Sequence, residues 1–196
     1  ANIGVIVNVM EDHMDVLGPT LNEVAEAFTA TIPYRGHLVV MKDDYTDFFA
    51  KVAKRRKTKL IVVDKEEVPE SYLRKFGYIV FPDNVAIAMG VAEALGIDRE
   101  IALKGMLNAP PDVGAVEVKY FDANQSTNVY VNAFAANEPK STKAILNKVE
   151  SYNYPYKKIV IILNCRSDRV DRTRQFAEVF ITEVDFDTLI CTGKST

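Results

Sequence analysis

The sequence predicts an α/β protein of two units, each built on a mainly parallel sheet. Short apolar runs alternate with segments whose apolar residues recur at helical spacing, an order typical of parallel strands joined by crossover helices. The stretch 109–114, which contains two prolines and a glycine, breaks regular structure and is the best domain boundary. We therefore divide the chain into residues 1–111 and 112–196.

Apolar runs predict the strands of the first unit. These strands are residues 3–7, 37–41 and 60–63, with an extended piece at 78–81. The predicted helices are residues 19–31, 45–56, 69–76, 84–95 and 98–107. Pro19 is expected in the first turn of its helix, where the missing amide has no partner in any case. Gly96 is expected at the end of helix 84–95, and Asp98 is expected to cap the helix that follows.

The second unit shows the same alternation. The predicted strands are residues 116–120, 128–132, 159–163 and 188–190, and the predicted helices are 139–149 and 170–180. Cys165 and Cys191 lie at the ends of two of these strands without CxxC spacing. That arrangement favours reduced core residues in a cytosolic setting over a disulfide or a metal site.

The charge balance gives no reason to expect a nucleic-acid partner. The chain carries 24 Lys and Arg against 27 Asp and Glu, a net charge of −3. A basic run at residues 51–59 falls on the end of a predicted helix, where cations interact favourably with the helix dipole, so we interpret it as a solvated face. No apolar run reaches the roughly 18 residues that a membrane-spanning helix needs.

The two ends of the sequence suggest a piece of a longer polypeptide. The chain opens inside a predicted strand without an initiator Met, and it stops at residues 193–196 before any closing helix. Those last residues resemble the tail of a phosphate-binding loop, but Thr188 stands where that motif requires a glycine. We expect a strand-end turn there instead.

The first candidate site follows the first strand. Glu11, Asp12 and Asp15 surround His13 at the carboxyl end of that strand, where open α/β sheets bind ligands. Such a cluster suits a divalent cation or a water activated beside it. The alternative is that the carboxylates only stabilise a helix start and that the histidine is solvated.

A second candidate site lies in the second unit. Arg166, Arg169 and Arg172 alternate with Asp168 and Asp171 after the most apolar strand, and they suit a bidentate grip on carboxylate or phosphate. The alternative is that these charges pair with one another on a solvated helix start.

Asparagines at strand ends and helix starts extend these sites. Asn132 and Asn137 lie between a strand and a helix and could present donors to a phosphate or an α-carboxylate. Asn84 opens a predicted helix of the first unit. For all three, the alternative is a simple capping role.

Three motifs carry a resemblance to a known superfamily. Residues 8–15, Asn-Val-Met-Glu-Asp-His-Met-Asp, resemble the central-domain signature of the Mur ligases, which join amino acids through an acyl-phosphate. Residues 17–25, Leu-Gly-Pro-Thr-Leu-Asn-Glu-Val-Ala, resemble the matching stretch of folylpolyglutamate synthases. Together with residues 28–33 they resemble the ligase subunits of bacterial poly-γ-glutamate capsule synthases, and the similarity runs with gaps along essentially the whole chain.

The resemblance implies a fold and a reaction. The fold would be the latter part of a Mur-ligase-like central ATPase domain, joined to an incomplete C-terminal Rossmann-like α/β ligase domain. The reaction would be an ATP-dependent amide ligation that extends poly-γ-glutamate. The implied cofactors are ATP and Mg²⁺, and the implied substrates are glutamate and the growing chain.

The resemblance also implies roles for the candidate residues. His13 would bind Mg²⁺ with a catalytic role, and Asn84 would contact the adenine side of ATP. The remaining implied roles are cofactor binding by Asn132 and Asn137, substrate binding by Arg166, Asp168 and Arg169, and catalysis by Arg169 and Arg172.

The sequence departs from the superfamily at several of these motifs. Phe28 stands where most members have a lysine that serves as a further metal ligand, which puts a second metal in doubt. Asp83 and Ile87 replace a histidine and a second asparagine around Asn84. Ala115 replaces the arginine of the domain hinge, and we assign it no role.

The implied partners are a missing N-terminal portion, which would carry the phosphate loop, and the membrane subunits of a capsule synthase complex. The location would be cytoplasmic, at the inner face of the membrane. We expect this polypeptide to be inactive by itself. Two alternatives remain: a non-catalytic assembly fragment of such a complex, and another amino-acid ligase of the same superfamily.

Overall fold

The computed structural model of the protein describes residues 2–10, 14–136, 139–153, 156–167 and 170–194. The description is limited to the backbone at six helical positions: Met14, Asp15, Lys140, Val170, Asp171 and Arg172. The chain forms two compact units, Ala1–Pro110 and Pro111–Thr196. Each unit is an α/β structure.

The described part of the first unit contains a three-stranded parallel sheet. Its strands are β1 (Ile3–Ile6), β2 (His37–Met41) and β3 (Lys59–Val63), in that spatial order. Val39 of the central strand lies opposite Val5 on one side and Ile61 on the other. All three predicted strands are confirmed, and their apolar runs are those expected for strands covered on both faces.

Six α-helices of the first unit lie within the described residues. They are α1 (Met14–Leu17), α2 (Leu21–Phe28), α3 (Thr46–Arg55), α4 (Glu70–Leu73), α5 (Pro82–Ala94) and α6 (Arg99–Asn108). Short 3-10 helices occupy Thr29–Thr31 and Lys65–Glu67. The prediction of Asp98 as a helix cap is confirmed, because its carboxylate accepts hydrogen bonds from the amides of Glu100 and Ile101.

The expected position of Pro19 is wrong. Helix α2 begins at Leu21, two residues after Pro19, because Thr20 is the N-cap. The Thr20 hydroxyl accepts from the amide of Glu23 at 3.4 Å, and the amide of Thr20 donates to the Glu23 carboxylate at 3.1 Å. This reciprocal capping box satisfies two first-turn donors and fixes the helix start beyond Pro19.

The sheet of the first unit is covered on both faces. On one face, Leu38 and Val40 pack with Phe49 of α3 and Ala25 of α2 in a core whose members are almost wholly buried. On the other face α5 lies against the strands. The helix approaches so closely that a Cβ added at Gly90 would lie 2.6 Å from Val39 Cγ1.

The second unit pairs its described strands in two ways. Strands β4 (Glu117–Ala123) and β5 (Ser126–Asn132) form an antiparallel hairpin, whereas β6 (Val160–Cys165) and β7 (Thr188–Gly193) are parallel. The sequence analysis expected a mainly parallel sheet in this unit and did not anticipate the hairpin. Its turn residues, Asn124 and Gln125, have φ values of 53° and 61°, the left-handed pair that a two-residue hairpin requires.

Two helices complete the described part of the second unit. They are α7 (Pro139–Glu150) and α8 (Val170–Glu183), and both were predicted. Among the residues that the structure describes in either unit, no helix is long and apolar enough to cross a bilayer.

Candidate functional site

The carboxyl edge of the first sheet carries a fixed pair of opposite charges. Strands β2 and β3 end at Met41 and Val63, and each is followed at once by a charged residue, Lys42 and Asp64 respectively. The Lys42 amide donates to the Val63 carbonyl at 2.8 Å, and the Lys42 ammonium lies 2.8 Å from the Asp64 carboxylate. The two strand ends are therefore tied together at the edge where α/β sheets bind ligands.

This pair shifts the pKa of both of its members. The hydrogen bond from Lys42 lowers the pKa of the Asp64 carboxyl, helped by the amide of Glu66, and the same bond to Asp64 raises the pKa of the Lys42 ammonium. Both groups therefore stay ionised at neutral pH. Because both are solvent-accessible, the pair positions charge at the edge and adds little stability.

Helix α5 begins at the same edge, next to the 3-10 helix Lys65–Glu67. Phe81 is its N-cap and Pro82 its first residue, and no side chain bonds to the free amides of the cap. Asp83 lies 3.8 Å from the Lys65 ammonium, while Asn84 is exposed. The alternative that Asn84 is merely a cap is wrong, since Asn84 is the third residue of the helix. Its side-chain amide has no hydrogen-bond partner among the described residues.

The acidic stretch around His13 lies partly outside the described residues. Glu11, Asp12 and His13 are not described, nor is the side chain of Asp15. On either side, β1 ends at Ile6 and α1 spans Met14–Leu17. The described residues contain no group of three or more His, Cys, Asp or Glu side chains that could hold a metal ion. The predicted metal site remains a prediction.

Gly18 and Phe28 show how the segment after this stretch is held. Gly18 has a φ of 125°, and a Cβ there would come within 2.4 Å of Glu23 Cβ, so only glycine fits beside the capping box. Phe28 ends α2 and packs against the apolar core under the sheet. The residue that replaces the superfamily's lysine is therefore a core side chain.

The second unit contains an apolar cavity between β5, α7, β6 and α8. Its volume is about 480 Å³, and aliphatic and aromatic side chains make up most of its wall. Polar groups line it where β6 ends, namely Asn164, Arg166 and Thr173. Phe134 and Ala136, from the loop after β5, line the same cavity. The structure thus brings the two predicted loops of this unit to one cavity.

Two of the predicted residues around this cavity are described in full. Arg166 follows β6 directly, is exposed and lines the cavity. Asn132 ends β5, and its side-chain oxygen accepts from the Phe134 amide at 3.4 Å, which shapes the loop after the strand. Cys165, beside Arg166, is buried, and burial raises the pKa of its thiol, so it stays protonated at neutral pH.

The other residues predicted for this site cannot be placed. Asn137, Asp168 and Arg169 lie outside the described residues, and Arg172 is described only by its backbone in α8. The roles of all four remain predictions.

Sequence reasoning missed three polar residues at these edges. Lys42 and Asp64 each follow an apolar strand directly, so the rule that singled out His13 could have found them. Thr173 lies one turn into α8 and faces the cavity. Only the packing of α8 identifies it, because a threonine in a helix carries no sequence signal of its own.

Comparison with known proteins finds relatives among the CapB proteins. The model of the poly-gamma-glutamate synthase CapB C-terminal domain matches residues 118–196. The chain is 55% identical over 196 residues to PGA synthase CapB of Bacillus subtilis, covering 100% of this chain and 50% of that protein. It is 54% identical over the same length to the capsule biosynthesis protein CapB of Bacillus anthracis, of which it covers 42%. Over all 196 residues the chain is similar to the CapB proteins.

The CapB match covers the whole sequence, but the chain spans only about half the length of these curated relatives. Solved structures of a Mur ligase and of folylpolyglutamate synthases share this fold. The chain superposes on MurF from Acinetobacter baumannii with a TM-score of 0.65 at 15% identity, covering 98% of this chain and 47% of the other. For folylpolyglutamate synthase from Thermotoga maritima the TM-score is 0.64 at 17% identity, again covering 98% and 47%.

A further structural neighbour is a bifunctional folylpolyglutamate synthase/dihydrofolate synthase solved with Mn, AMPPNP and L-glutamate bound. Its TM-score is 0.59 at 14% identity, with 100% of this chain and 59% of the other covered. At such identities these neighbours establish the fold of the chain and nothing about its residues. The predicted α/β fold of Mur-ligase type is confirmed.

Proposed function

We propose that the chain forms part of an ATP-dependent amide ligase that extends poly-γ-glutamate through an acyl-phosphate. The observation that carries this proposal is the 55% identity to PGA synthase CapB over all 196 residues. The two polar strand-end regions support it, because a ligase needs one region for nucleotide and metal and another for the incoming amino acid.

The carboxyl edge of the first unit suits the nucleotide. Asn84 offers an exposed amide without a partner among the described residues, at the N-terminus of a 13-residue helix whose dipole favours negative charge. Lys42 lies at the same edge and is held in place by Asp64. In this proposal Asn84 contacts the adenine side of ATP, and His13 holds Mg²⁺.

ATP and Mg²⁺ would supply the activation step, transfer of the γ-phosphoryl group to the γ-carboxylate of the polymer end, with the metal neutralising charge. The chain's own residues bind and orient. Arg166, Asp168 and Arg169 would hold the incoming glutamate so that its amino group faces the activated carboxyl. Arg169 and Arg172 would neutralise charge during the transfer.

The cavity of the second unit suits the amino-acid end of this reaction. Aliphatic and aromatic side chains make up most of its wall, and the Arg166 guanidinium lines it where β6 ends, in reach of both solvent and a bound carboxylate. Asn132 and Asn137 would offer amide donors to a phosphate or to the α-carboxylate of glutamate. The cavity itself would exclude water, which would otherwise hydrolyse an activated carboxyl.

The proposed assembly includes more polypeptide than this chain. We place it with the additional portion that the longer CapB relatives possess and with membrane subunits of a capsule synthase, at the cytoplasmic face of the membrane. The substrates of the assembly would be glutamate and the polymer. The chain alone would not catalyse their ligation.

Release of ADP from Mg-ATP and glutamate tests the proposal. The assay compares the chain alone with the chain mixed with the N-terminal portion of a longer relative. We expect release only in the mixture, and we expect His13→Ala to abolish it. The chain's other histidine provides a matched control, since His37 lies at the start of β2, at the opposite edge, and His37→Ala should retain release.

A second comparison tests the amino-acid end. Arg166→Ala should raise the KM for glutamate by about tenfold or more, as expected for loss of a charge-assisted bond. Arg174→Ala, an exposed arginine of the same unit, should leave the KM unchanged. ADP release by the chain alone would contradict the proposal that activity requires both pieces. If the mixture releases no ADP although the two pieces are shown to associate, a non-catalytic assembly role is favoured.

A further inference from the structure

A cluster of cations lies at the amino-terminal edge of the first sheet, away from the edge that bears the proposed nucleotide site. It consists of five exposed side chains that we call the basic surface: Arg35, Lys51, Lys54, Arg55 and Lys57. They come from the end of α3, the turn after it and the loop before β2. Residues 48–63 include no carboxylate, although the chain as a whole has a net charge of −3.

Hydrogen bonds hold the two loops of this surface together. The Arg35 amide donates to the Arg56 carbonyl at 3.0 Å, and the Lys59 amide donates to the Gly36 carbonyl at 2.9 Å. The buried Thr58 hydroxyl donates to the Pro33 carbonyl in addition. The cations are therefore carried on a defined scaffold and not on loose loops.

Structural roles account for the neighbouring cations but not for these five. Arg56 lies over the Tyr34 ring at 5.0 Å and donates to the Ile32 carbonyl, and Lys59 lies 3.4 Å from Glu93. Within the described part of the chain, none of the five residues of the basic surface pairs with a carboxylate.

The helix dipole accounts for only part of the cluster. Lys54 and Arg55 lie in the last turn of α3, where the dipole favours cations. Arg35 and Lys57 lie outside any helix, at left-handed backbone positions with φ values of 54° and 56°. The interpretation of the basic run as a solvated helix face therefore leaves two of the five cations unexplained, and it leaves the mutual repulsion of the five charges uncompensated.

We propose that the basic surface binds a polyanionic chain, namely the poly-γ-glutamate made in the proposed reaction. This inference rests on the proposed function for the identity of the polymer. An extended polymer with a carboxylate on every residue matches exposed cations spread over three segments better than a small anion does, because a small anion needs a concave pocket. The surface would hold the polymer while its end reaches the carboxyl edge.

The distance between the two edges fits this arrangement. Strand β2 has five residues, which at about 3.3 Å each separates the edges by roughly 16 Å. A polymer end at the carboxyl edge would thus be followed, within several units, by carboxylates at the basic surface. A lipid surface fits less well, because membrane binding gains strength from exposed apolar groups that insert. Here Phe48 is only partly exposed, Val52 is buried, and Arg56 covers one face of the exposed Tyr34 ring.

Fluorescence anisotropy of dye-labelled poly-γ-glutamate, titrated with the chain in the absence of ATP, tests the proposal. Replacing Lys54, Arg55 and Lys57 together by Gln should weaken binding by about tenfold or more, since each lost exposed ion pair weakens it about two- to fivefold. The matched control replaces the exposed lysines Lys75, Lys104 and Lys157 by Gln. It removes the same net charge and should change the affinity less than about twofold.

Three results would overturn the proposal. The first is that both triple variants weaken polymer binding equally. The second is that the chain does not bind the polymer at low salt. The third is that binding to vesicles of anionic lipid depends on Lys54, Arg55 and Lys57 while polymer binding does not. Circular dichroism of each variant verifies that it is folded. The titration requires no turnover, so its result is valid even if the ligase assay shows no ADP release. Likewise, a lack of polymer binding in the titration does not affect the ADP-release result.

Discussion

The close approach of helix α5 to the sheet depends on one glycine. A Cβ at position 90 would lie 2.6 Å from Val39 Cγ1 and 2.7 Å from Val63 Cγ1, both well inside ordinary contact. Val39 is wholly buried in the central strand, and its β-branched side chain has few rotamers that would move the methyl group away. We expect Gly90→Ala to push α5 away from β2 and β3 and to destabilise the first unit.

The size of this effect follows from two opposing terms. Overpacking a well-filled interface costs about 1–3 kcal/mol, whereas alanine in place of glycine stabilises a helix interior by up to about 1 kcal/mol. Subtracting the second term from the first, we expect Gly90→Ala to cost up to about 2 kcal/mol. Gly105, inside α6, has nothing within 4 Å of its added Cβ. Gly105→Ala should therefore show only the favourable term, a gain of about 0.5–1 kcal/mol.

Urea unfolding of the two variants and of the parent chain measures the stability expected to be lost in Gly90→Ala and the stability expected to be gained in Gly105→Ala. Both glycines belong to the first unit, so the same transition reports on each. The chain has no Trp, and circular dichroism is therefore the better signal. If Gly90→Ala proves as stable as Gly105→Ala, the inferred contact of α5 with Val39 and Val63 is wrong.

Three other substitutions test local features of the two units. Thr20→Ala removes the capping box and should cost about 1 kcal/mol in urea unfolding, most of which Thr20→Ser should restore. Gly193→Ala places a Cβ 2.1 Å from the Cys165 carbonyl oxygen at a φ of 104°, and it should cost more than about 2 kcal/mol, seen as loss of amide protection in β6 and β7. Lys42→Met removes the hydrogen bond that lowers the pKa of Asp64, so an NMR titration should show that pKa rising towards its ordinary value. Because a lowered carboxyl pKa stabilises the fold above the unfolded-state pKa and loses that effect as the pH falls, the variant should show a shallower loss of stability on acidification.

Much of the first unit could be predicted because each of its short apolar runs fits a buried strand better than any other element. Strand β2 was predicted at its observed bounds, since a five-residue run of mostly β-branched and aliphatic residues bounded by Gly36 and Lys42 fits a central strand. The start of α2 was misplaced because Pro19 and Thr20 both favour a helix start. The interaction between Thr20 and Glu23 decides between them, and it becomes visible only when the two side chains are seen to bond.

The hairpin of the second unit could not be predicted from the same rules. Strands β4 and β5 are joined by Asn124 and Gln125, and this pair lacks the glycine by which a two-residue hairpin turn is usually identified. Asn adopts left-handed backbone more readily than most residues, but Gln does so only when the paired strands on both sides require it. The turn is therefore set by the pairing of the strands and not by its own two residues.

The position of the candidate nucleotide site illustrates why residue types alone locate a site only coarsely. Asn84 lies six residues before Gly90 in α5, about 9 Å along the helix axis. The height of the whole helix above the sheet, and with it the distance of the Asn84 amide from the ends of β2 and β3, depends on how closely Gly90 lets α5 pack against Val39. A sequence motif at residues 81–89 names the candidate side chain. The distance of the Asn84 side chain from the strand ends is set by the contact of Gly90 with the sheet, two turns further along the helix. Gly90→Ala should therefore also raise the KM for ATP in the reconstituted ligase, whereas Gly105→Ala should not.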